Sequence, residues 1–549
     1  MRRFFYALIA LCAFVVVLPS CGNPTKRLIT KVEPATFVVY TYDEYGSPVG
    51  SGSGFFIEKS GVGVTNFHVL DQSVKAAIKT TDGSLYEIDS VLCSSSKKDV
   101  LVFRVKNDKR AEFKTVKITN KTPEKGNQIY CIGAPMGMES SLSEGIISSY
   151  RDDNKYGKVA QITAAISNGS SGSPILDSDG KVFAIAAFKR RGGENLNFGV
   201  VLNEDFQNEL DKKEFYKKNR KFNSEKSDFI LLNVMPERGS ELILNAIEFG
   251  KTSTSLYFTY TNMHLNSSGE YYLWCELNEK DNGLYMEDVD SGKKYYVTSS
   301  TLASTKKDSE AISLAGIKQF KVDLPVIKNK PSSINVVWDD WTFSDINLDN
   351  YRESLTIDEL SYKRSYALLC TSIASDPSTT IEMLTEVLDE NPEDAISLNM
   401  MAIFSYIIDN KTDAMYYLEE AIETNPNDEL AYLNRAEMYS FDKNYKEAIK
   451  DVTTAINLVP DDPDNYITRA HYYYINEEYQ KALDDVNTCL SKSSDGDGFK
   501  NDPLLYEFRA YIYYALNNRS AARADVQKSY RLSRDKQLDR RLEQFYSIL

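Results

Sequence analysis

Histidine is scarce in this chain: three in 549 residues, His68, His264 and His471, set far apart. No CxxC and no HExxH accompanies them, so no metal-ligand set is legible; no metal and no cofactor is expected. Basic charge is also short. Lys and Arg number 64 against 79 Asp and Glu, a net charge of −15. Binding a phosphate backbone needs a basic face, so nucleic acid is not an expected partner. No GxxxxGK[ST] loop occurs. Gly50-Ser51-Gly52-Ser53-Gly54 lacks the lysine and reads as a turn entering a strand. Cysteine is sparse and scattered: Cys12, Cys21, Cys93, Cys131, Cys275, Cys370 and Cys489. Two fall in the leader, and five make no disulfide framework. Cys93 with Cys131 is the one pair to consider, and two buried free thiols are the expected outcome. Ser494-Asp495-Gly496-Asp497-Gly498 hints at a calcium loop, but the twelfth position from Asp495 is Tyr506, so a flexible insertion is the better reading. Long apolar runs are absent beyond residue 20, which leaves no second candidate for a membrane span.

What is present begins with a leader. Arg2 and Arg3 precede an apolar stretch from Tyr6 to Leu18, too short to span a bilayer comfortably. It ends in Leu18-Pro19-Ser20-Cys21-Gly22. That segment resembles a bacterial lipoprotein box, which implies lipidation at Cys21 and a lipid-anchored, periplasm-facing protein of the cell envelope. Residues 1–20 would be the signal and 21–33 a tether.

Three residues further on carry chemistry. Ser171 sits in Gly169-Ser170-Ser171-Gly172-Ser173-Pro174. The only histidine upstream of it is His68, and acyl transfer by serine needs such a base. Asp99, before the apolar run Val100–Phe103, lies between them. Each has an ordinary reading alone: a packed histidine, a small-residue turn, an acid at a strand edge. Together the order is His, Asp, Ser, with steps of 31 (99 − 68) and 72 (171 − 99). Subtilisins and α/β-hydrolases use other orders.

The flanks sharpen this. Gly52–Ile57 followed by Thr65-Asn66-Phe67-His68-Val69, then Ile132–Gly137, Gly145–Ser148 and Ile162–Ile166, resemble trypsin-like bacterial serine endopeptidases of the high-temperature-requirement type, over about residues 30–205. The resemblance implies an all-β double-barrel chymotrypsin-like domain. It implies Ser171 as nucleophile, His68 as base and Asp99 as the residue orienting the imidazole. It gives the amides of Gly169 and Ser171 as the oxyanion hole, and Ala165, six residues before the nucleophile, as the base of the substrate pocket. An alanine there would favour a small or medium apolar side chain before the cut. Ala184–Phe188 and Asn197–Val200 would build the pocket walls. Two positions depart from the family: Ser170 stands where Asn or Asp is usual, and Ser173 where glycine is usual.

At this length roughly three to four domains are expected. Short β runs punctuated by turn residues fill 34–205. A polar, Lys-rich linker or helix follows at 206–225. Residues 226–353 read as a β-sandwich-like domain, without a binding motif. From 354 the pattern is helical, with a cap at 354–394. Pro392, Pro426 and Pro460 step by 34, as do Ala402, Ala436 and Ala470. This resembles tetratricopeptide repeats over 395–549, an all-α solenoid. An insertion on the ten-residue scale is expected near 494–502. The expected function is a lipid-anchored serine endopeptidase acting on protein or peptide substrates, with repeats that recruit protein partners. The alternative is an inert protease-like scaffold for protein–protein interaction.

Overall fold

The computed structural model describes residues 24–548 apart from 72, 97, 109, 120, 134–140, 168, 190–196, 203–219, 222–227, 238, 240, 267–269, 279–282, 306–307, 339–340, 354–358, 375–376, 494–498 and 534–535. Cys21, the Ser494–Gly498 segment and most of the 206–225 linker lie outside the described residues. The chain forms two compact units, residues 1–42 with 50–224 and residues 43–49 with 225–549.

The first unit is two β-barrels. Strands β1 (Thr36–Tyr42), β2 (Pro48–Glu58), β3 (Val62–Thr65), β4 (Lys75–Thr80), β5 (Leu85–Ser95) and β6 (Val100–Val105) form the first. Their order is β5-β4-β1-β2-β3-β6, and a β5–β6 pairing closes the circle. Phe37, Phe56 and Phe103 fill it, with Ile78 and Ile88. Burying such side chains contributes roughly 1.5–3 kcal/mol each. The second barrel is closed in the order β10-β11-β12-β9-β8-β7. Its strands are β7 (Gln128–Gly133), β8 (Ser141–Asp153), β9 (Gly157–Ile162), β10 (Pro174–Leu176), β11 (Val182–Lys189) and β12 (Asn197–Val201). Ile129, Ile147, Ile162, Ile175 and Phe183 line its interior. A third apolar cluster joins the barrels, with Phe55, Val64 and Val102 from one side and Ile132, Leu176 and Ile185 from the other.

Two segments differ from the sequence reading. Residues 24–32, assigned above to the tether, form a helix, Pro24–Val32, whose Leu28 and Val32 pack into the cluster between the barrels. Lys26, Arg27 and Lys31 stay exposed on its outer face. Arg220–Lys221, assigned to the linker, is a short strand, β13, paired with β5.

In the second unit, residues 229–347 form three sheets: five strands with the central neighbours Leu242–Phe249, Thr254–Thr261 and Ile317–Leu324, four strands around Ser333–Trp338, and a two-stranded ribbon. Phe258, Phe320, Met286, Val336 and Phe343 share one core drawn from the larger two sheets. That is the β-sandwich-like arrangement. The chain then turns helical, with Glu359–Ala374 and Pro377–Glu390 ahead of antiparallel pairs beginning Ala395–Ile407 and Lys411–Thr424. The 34-residue period has its reason in the crossings: Ala402, Ala436, Ala470 and Ala510 are all fully buried. Asn434 joins the repeats to the β domain. Its Oδ1 accepts from Leu265 N at 2.8 Å and its Nδ2 donates to Met263 O at 2.9 Å.

The repeats carry a charged ladder that the sequence reading passed over. Arg435, Arg469 and Arg509 each make two bonds of 2.7–2.9 Å to Asp451, Asp485 and Asp525, sixteen residues on. Each guanidinium also lies 5.4–6.0 Å from two tyrosine rings, such as Tyr466 and Tyr473 around Arg469. The last step is 40 (509 − 469), so the insertion adds six residues to the 34-residue unit, fewer than expected. Because the Arg469 and Asp485 side chains are only 15% and 8% exposed, removing one leaves a nearly buried charge. Arg469→Ala is expected to destabilise the repeats by on the order of 3 kcal/mol. Chemical denaturation followed by circular dichroism checks this, and an unchanged midpoint would deny the ladder a stabilising part.

Candidate active site

Asn66 ends β3's run into a one-turn helix, Phe67–Leu70, that carries His68. Asp99 sits just before β6, at φ +49°, a left-handed conformation uncommon for a residue with a side chain. The conformation aims both parts of Asp99 at the histidine segment. Its Oδ2 lies 2.7 Å from His68 Nδ1, and its Oδ1 accepts from His68 N at 2.9 Å. Its backbone carbonyl accepts from Asn66 Nδ2 at 2.7 Å. The carboxylate is 3% exposed while the His68 ring is 45% exposed, so the pair has a buried end and an open end. That is what an imidazole needs if it is to be oriented on one nitrogen and to exchange protons on the other.

Hydrogen bonds fix most of the serine loop. Ser170 N donates to Ser167 O at 3.0 Å, and Ser173 N to Ser170 O at 3.0 Å. Gly172 N donates to Ala186 O on β11, and Ala186 N returns a bond to Ser173 O, both at 2.9 Å. On the other side, Ser53 of β2 takes two carbonyls. Its N donates to Ser171 O at 2.7 Å and its Oγ to Gly169 O at 2.8 Å. The N–H groups of Gly169 and Ser171 donate to nothing among the described residues. Gly169 has φ +82° and Gly172 φ +93°. At Gly172 a Cβ would lie 1.9 Å from Ser53 O, so only glycine fits.

His68, Asp99 and Ser171 thus share one region. A Cβ on Gly52 would meet Val69, beside His68, at 2.8 Å and Ser171 O at 3.0 Å. The Ser171 hydroxyl makes a long 3.4 Å bond to Ala187 O. Among the described residues no hydrogen bond joins it to His68. Such contacts are often loose without substrate and tighten when it binds.

The unusual Ser173 has a structural partner. Its side chain is fully buried, and its Oγ occupies the space above the Gly133 Cα. A Cβ on Gly133 would lie 1.9 Å from that oxygen. The hydroxyl sits beside the Cys131 thiol, a weak partner outside ordinary hydrogen-bond geometry. Burial pushes that thiol up to about 12, so it is not a thiolate at neutral pH and does not compete as a nucleophile. Cys93 is likewise pushed up to about 12 by burial, and both cysteines are free.

The expected walls of the pocket need correction. Ala165 is exposed, while Ala164 is buried and its carbonyl accepts from Asn197 Nδ2 at 2.8 Å. Ala184 and Ala186 point into the core of the second barrel and so line no pocket. A Cβ at Gly199 would lie 2.2 Å from Ile175 Cδ1, so that position also faces the barrel core. Ala187, Phe198 and Val200 gather with Val159 in a separate apolar cluster. Sequence reasoning missed Ser53 and Asn66 as hydrogen-bonding residues of the site. Among the described residues no group of three or more His, Cys, Asp or Glu is set to hold a metal ion.

Parts of the chain are similar to known proteins. The trypsin-like peptidase domain model matches residues 52–185, and a tetratricopeptide repeat model matches 417–450. An anti-sigma-I factor, RsgI9, of Acetivibrio thermocellus is 28% identical over 190 residues, 34% of this chain and 26% of that protein. A probable periplasmic serine endoprotease, DegP-like, of Bartonella henselae is 34% identical over 161 residues, 28% of this chain and 31% of that protein. The chain therefore spans about a quarter to a third of the length of these relatives. The solved structure of Deg5 is 22% identical, covering 34% of this chain and 91% of that one, at a TM-score of 0.29.

The fit between Gly133 and Ser173 is open to a direct test. Gly133→Ala is expected to cost roughly 1–3 kcal/mol by overpacking, and Ser173→Gly in the same chain is expected to restore most of it. A double-mutant cycle by thermal denaturation reads the coupling, and additive effects would show that the two positions do not share the space.

Proposed function

We propose that this protein is a serine endopeptidase of the high-temperature-requirement type that cleaves protein substrates through Ser171, His68 and Asp99. The observation that carries the reading is the serine loop: of the N–H groups from 169 to 173, those of Gly169 and Ser171 alone donate to no group among the described residues. Two amides left open in one tight loop, one of them the nucleophile's own and the other two residues before it, are suited to a tetrahedral oxyanion. In the first step Ser171 Oγ attacks the scissile carbonyl and His68 Nε2 takes its proton. Asp99, bonded to Nδ1, holds the tautomer and stabilises the imidazolium. The proton then passes to the leaving amine, and water repeats the sequence on the acyl-enzyme. Ala165 offers no charge to a Lys or Arg side chain, and the reading takes a small or medium apolar residue before the cut.

The resemblance of 18–22 to a lipoprotein box supports an anchor at Cys21, and the periplasmic DegP-like relatives favour the cell envelope. No helix among the described residues is long and apolar enough to cross a membrane. The match of 417–450 to a tetratricopeptide repeat supports a part in recruiting protein substrates or partners.

Ser171→Ala is expected to lower hydrolysis of an unfolded protein substrate by at least ~10³-fold, the usual effect of removing a triad member. Equal turnover by wild type and variant would leave an inert scaffold as the reading. For the anchor, Cys21→Ser is expected to move the protein from the membrane to the soluble fraction, and a wild-type protein that is wholly soluble would reject lipidation.

A further inference from the structure

Ser53 lies on β2, in a different barrel from the nucleophile, and is fully buried. Its three polar groups all act on the site. Its N–H holds Ser171 O at 2.7 Å, its Oγ–H holds Gly169 O at 2.8 Å, and its carbonyl accepts from Thr65 Oγ1 at 2.7 Å, three residues before His68. The first two bonds matter most. The Gly169 carbonyl belongs to the Gly169–Ser170 peptide plane, which lies between the two open N–H groups, and the Ser171 carbonyl follows the second of them. A peptide plane is rigid, so fixing a carbonyl fixes the plane, and each fixed plane limits the rotation of the next. The Gly169 carbonyl has no other partner among the described residues, and Gly169, like Gly172, is a permissive glycine at positive φ, +82°. The Ser170 N–H at the other end of that plane bonds Ser167 O at 3.0 Å within the loop itself, and the Ser53 hydroxyl is the bond that ties the plane to the first barrel.

We propose that the Ser53 hydroxyl is a positioning group of the peptidase: by holding Gly169 O it keeps the Gly169 and Ser171 amides aimed at the reacting carbonyl. The proposal rests on the peptidase reading above and adds a residue to it. Ser53 does not touch substrate. Its effect falls on the transition state, when negative charge develops on the oxygen those amides meet, and not on ground-state binding. The backbone N–H of residue 53 survives any side-chain change, so the Ser171 carbonyl stays held and the fold of β2 stays supported.

The test uses the full chain with Ser53→Ala and Ser53→Cys. Active sites are first counted with a fluorophosphonate probe, and turnover of a peptide substrate is then expressed per titrated site. Ser53→Ala is expected to lower kcat per site roughly 10- to 100-fold, less than deleting an oxyanion donor outright, with KM changed by less than about threefold. Ser53→Cys, with its weak S–H donor, is expected to fall between. A peptide boronate, which engages the same donors, should lose affinity in proportion to kcat/KM, as a transition-state mimic does. A purely structural residue would lower the titratable fraction and the melting temperature while leaving kcat per site intact, and that result overturns the proposal. A wild type no more active than Ser171→Ala would instead remove the peptidase reading, and the role of Ser53 with it. If Ser53→Ala fails to fold, the Ser53→Cys values decide: unchanged kcat per site refutes the role.

Discussion

A loop that leaves two N–H groups open must bond the groups around them, because unpaired buried backbone is costly. The constraint explains much of the first unit. The 169–173 loop takes its hydrogen bonds from itself, from Ala186 on β11 and from Ser53 on β2. Those partners lie in different barrels, so neither barrel alone can shape the loop. The apolar cluster between the barrels, with Val64 and Ile185 among its members, holds the two sets of partners at a fixed separation. Gly172 follows from the same constraint, since the approach of Ser53 O leaves no room for a side chain.

How much of this could be read in advance depends on the kind of interaction. His68, Asp99 and Ser171 are legible because their chemistry is in their side chains and their order is informative. Ser53 and Asn66 are not, because their partners are backbone carbonyls, which look alike at every position. The Ser173–Gly133 fit is silent for another reason: it is one exchange of volume between positions 40 apart (173 − 133), visible only once β7 and the serine loop are neighbours. Other misreadings were avoidable. Strand alternation turns Ala184 and Ala186 to the same face, and that face is the barrel core. Leu28 and Val32 stand four apart, on one face of a helix, in the segment read as part of the tether.

The second unit shows how repetition made the fold easier to read than its energetics. Small residues at helix crossings recur at 34 and announce the architecture. Arg435, Arg469 and Arg509 recur in the same register, yet arginines on helices usually mean solvated surface. Only their Asp partners sixteen residues later, and the tyrosines on either side, identify them as part of the packing. The Asn434 amide adds specificity of another kind. By bonding both Met263 O and Leu265 N it pairs with the backbone of the β domain through donor and acceptor at once.

The packed helix at Pro24–Val32 also sets a mechanical limit. Between Cys21 and the helix there are only two residues, Gly22 and Asn23. Three virtual bonds at about 3.6 Å each allow roughly 11 Å of slack. An enzyme fastened at Cys21 would work on a short leash, with its catalytic barrels held at a nearly constant height above the bilayer. Its clients would then be chosen partly by geometry: chains that emerge at, or are delivered to, that narrow layer of the envelope would be cut, and those passing farther out would escape.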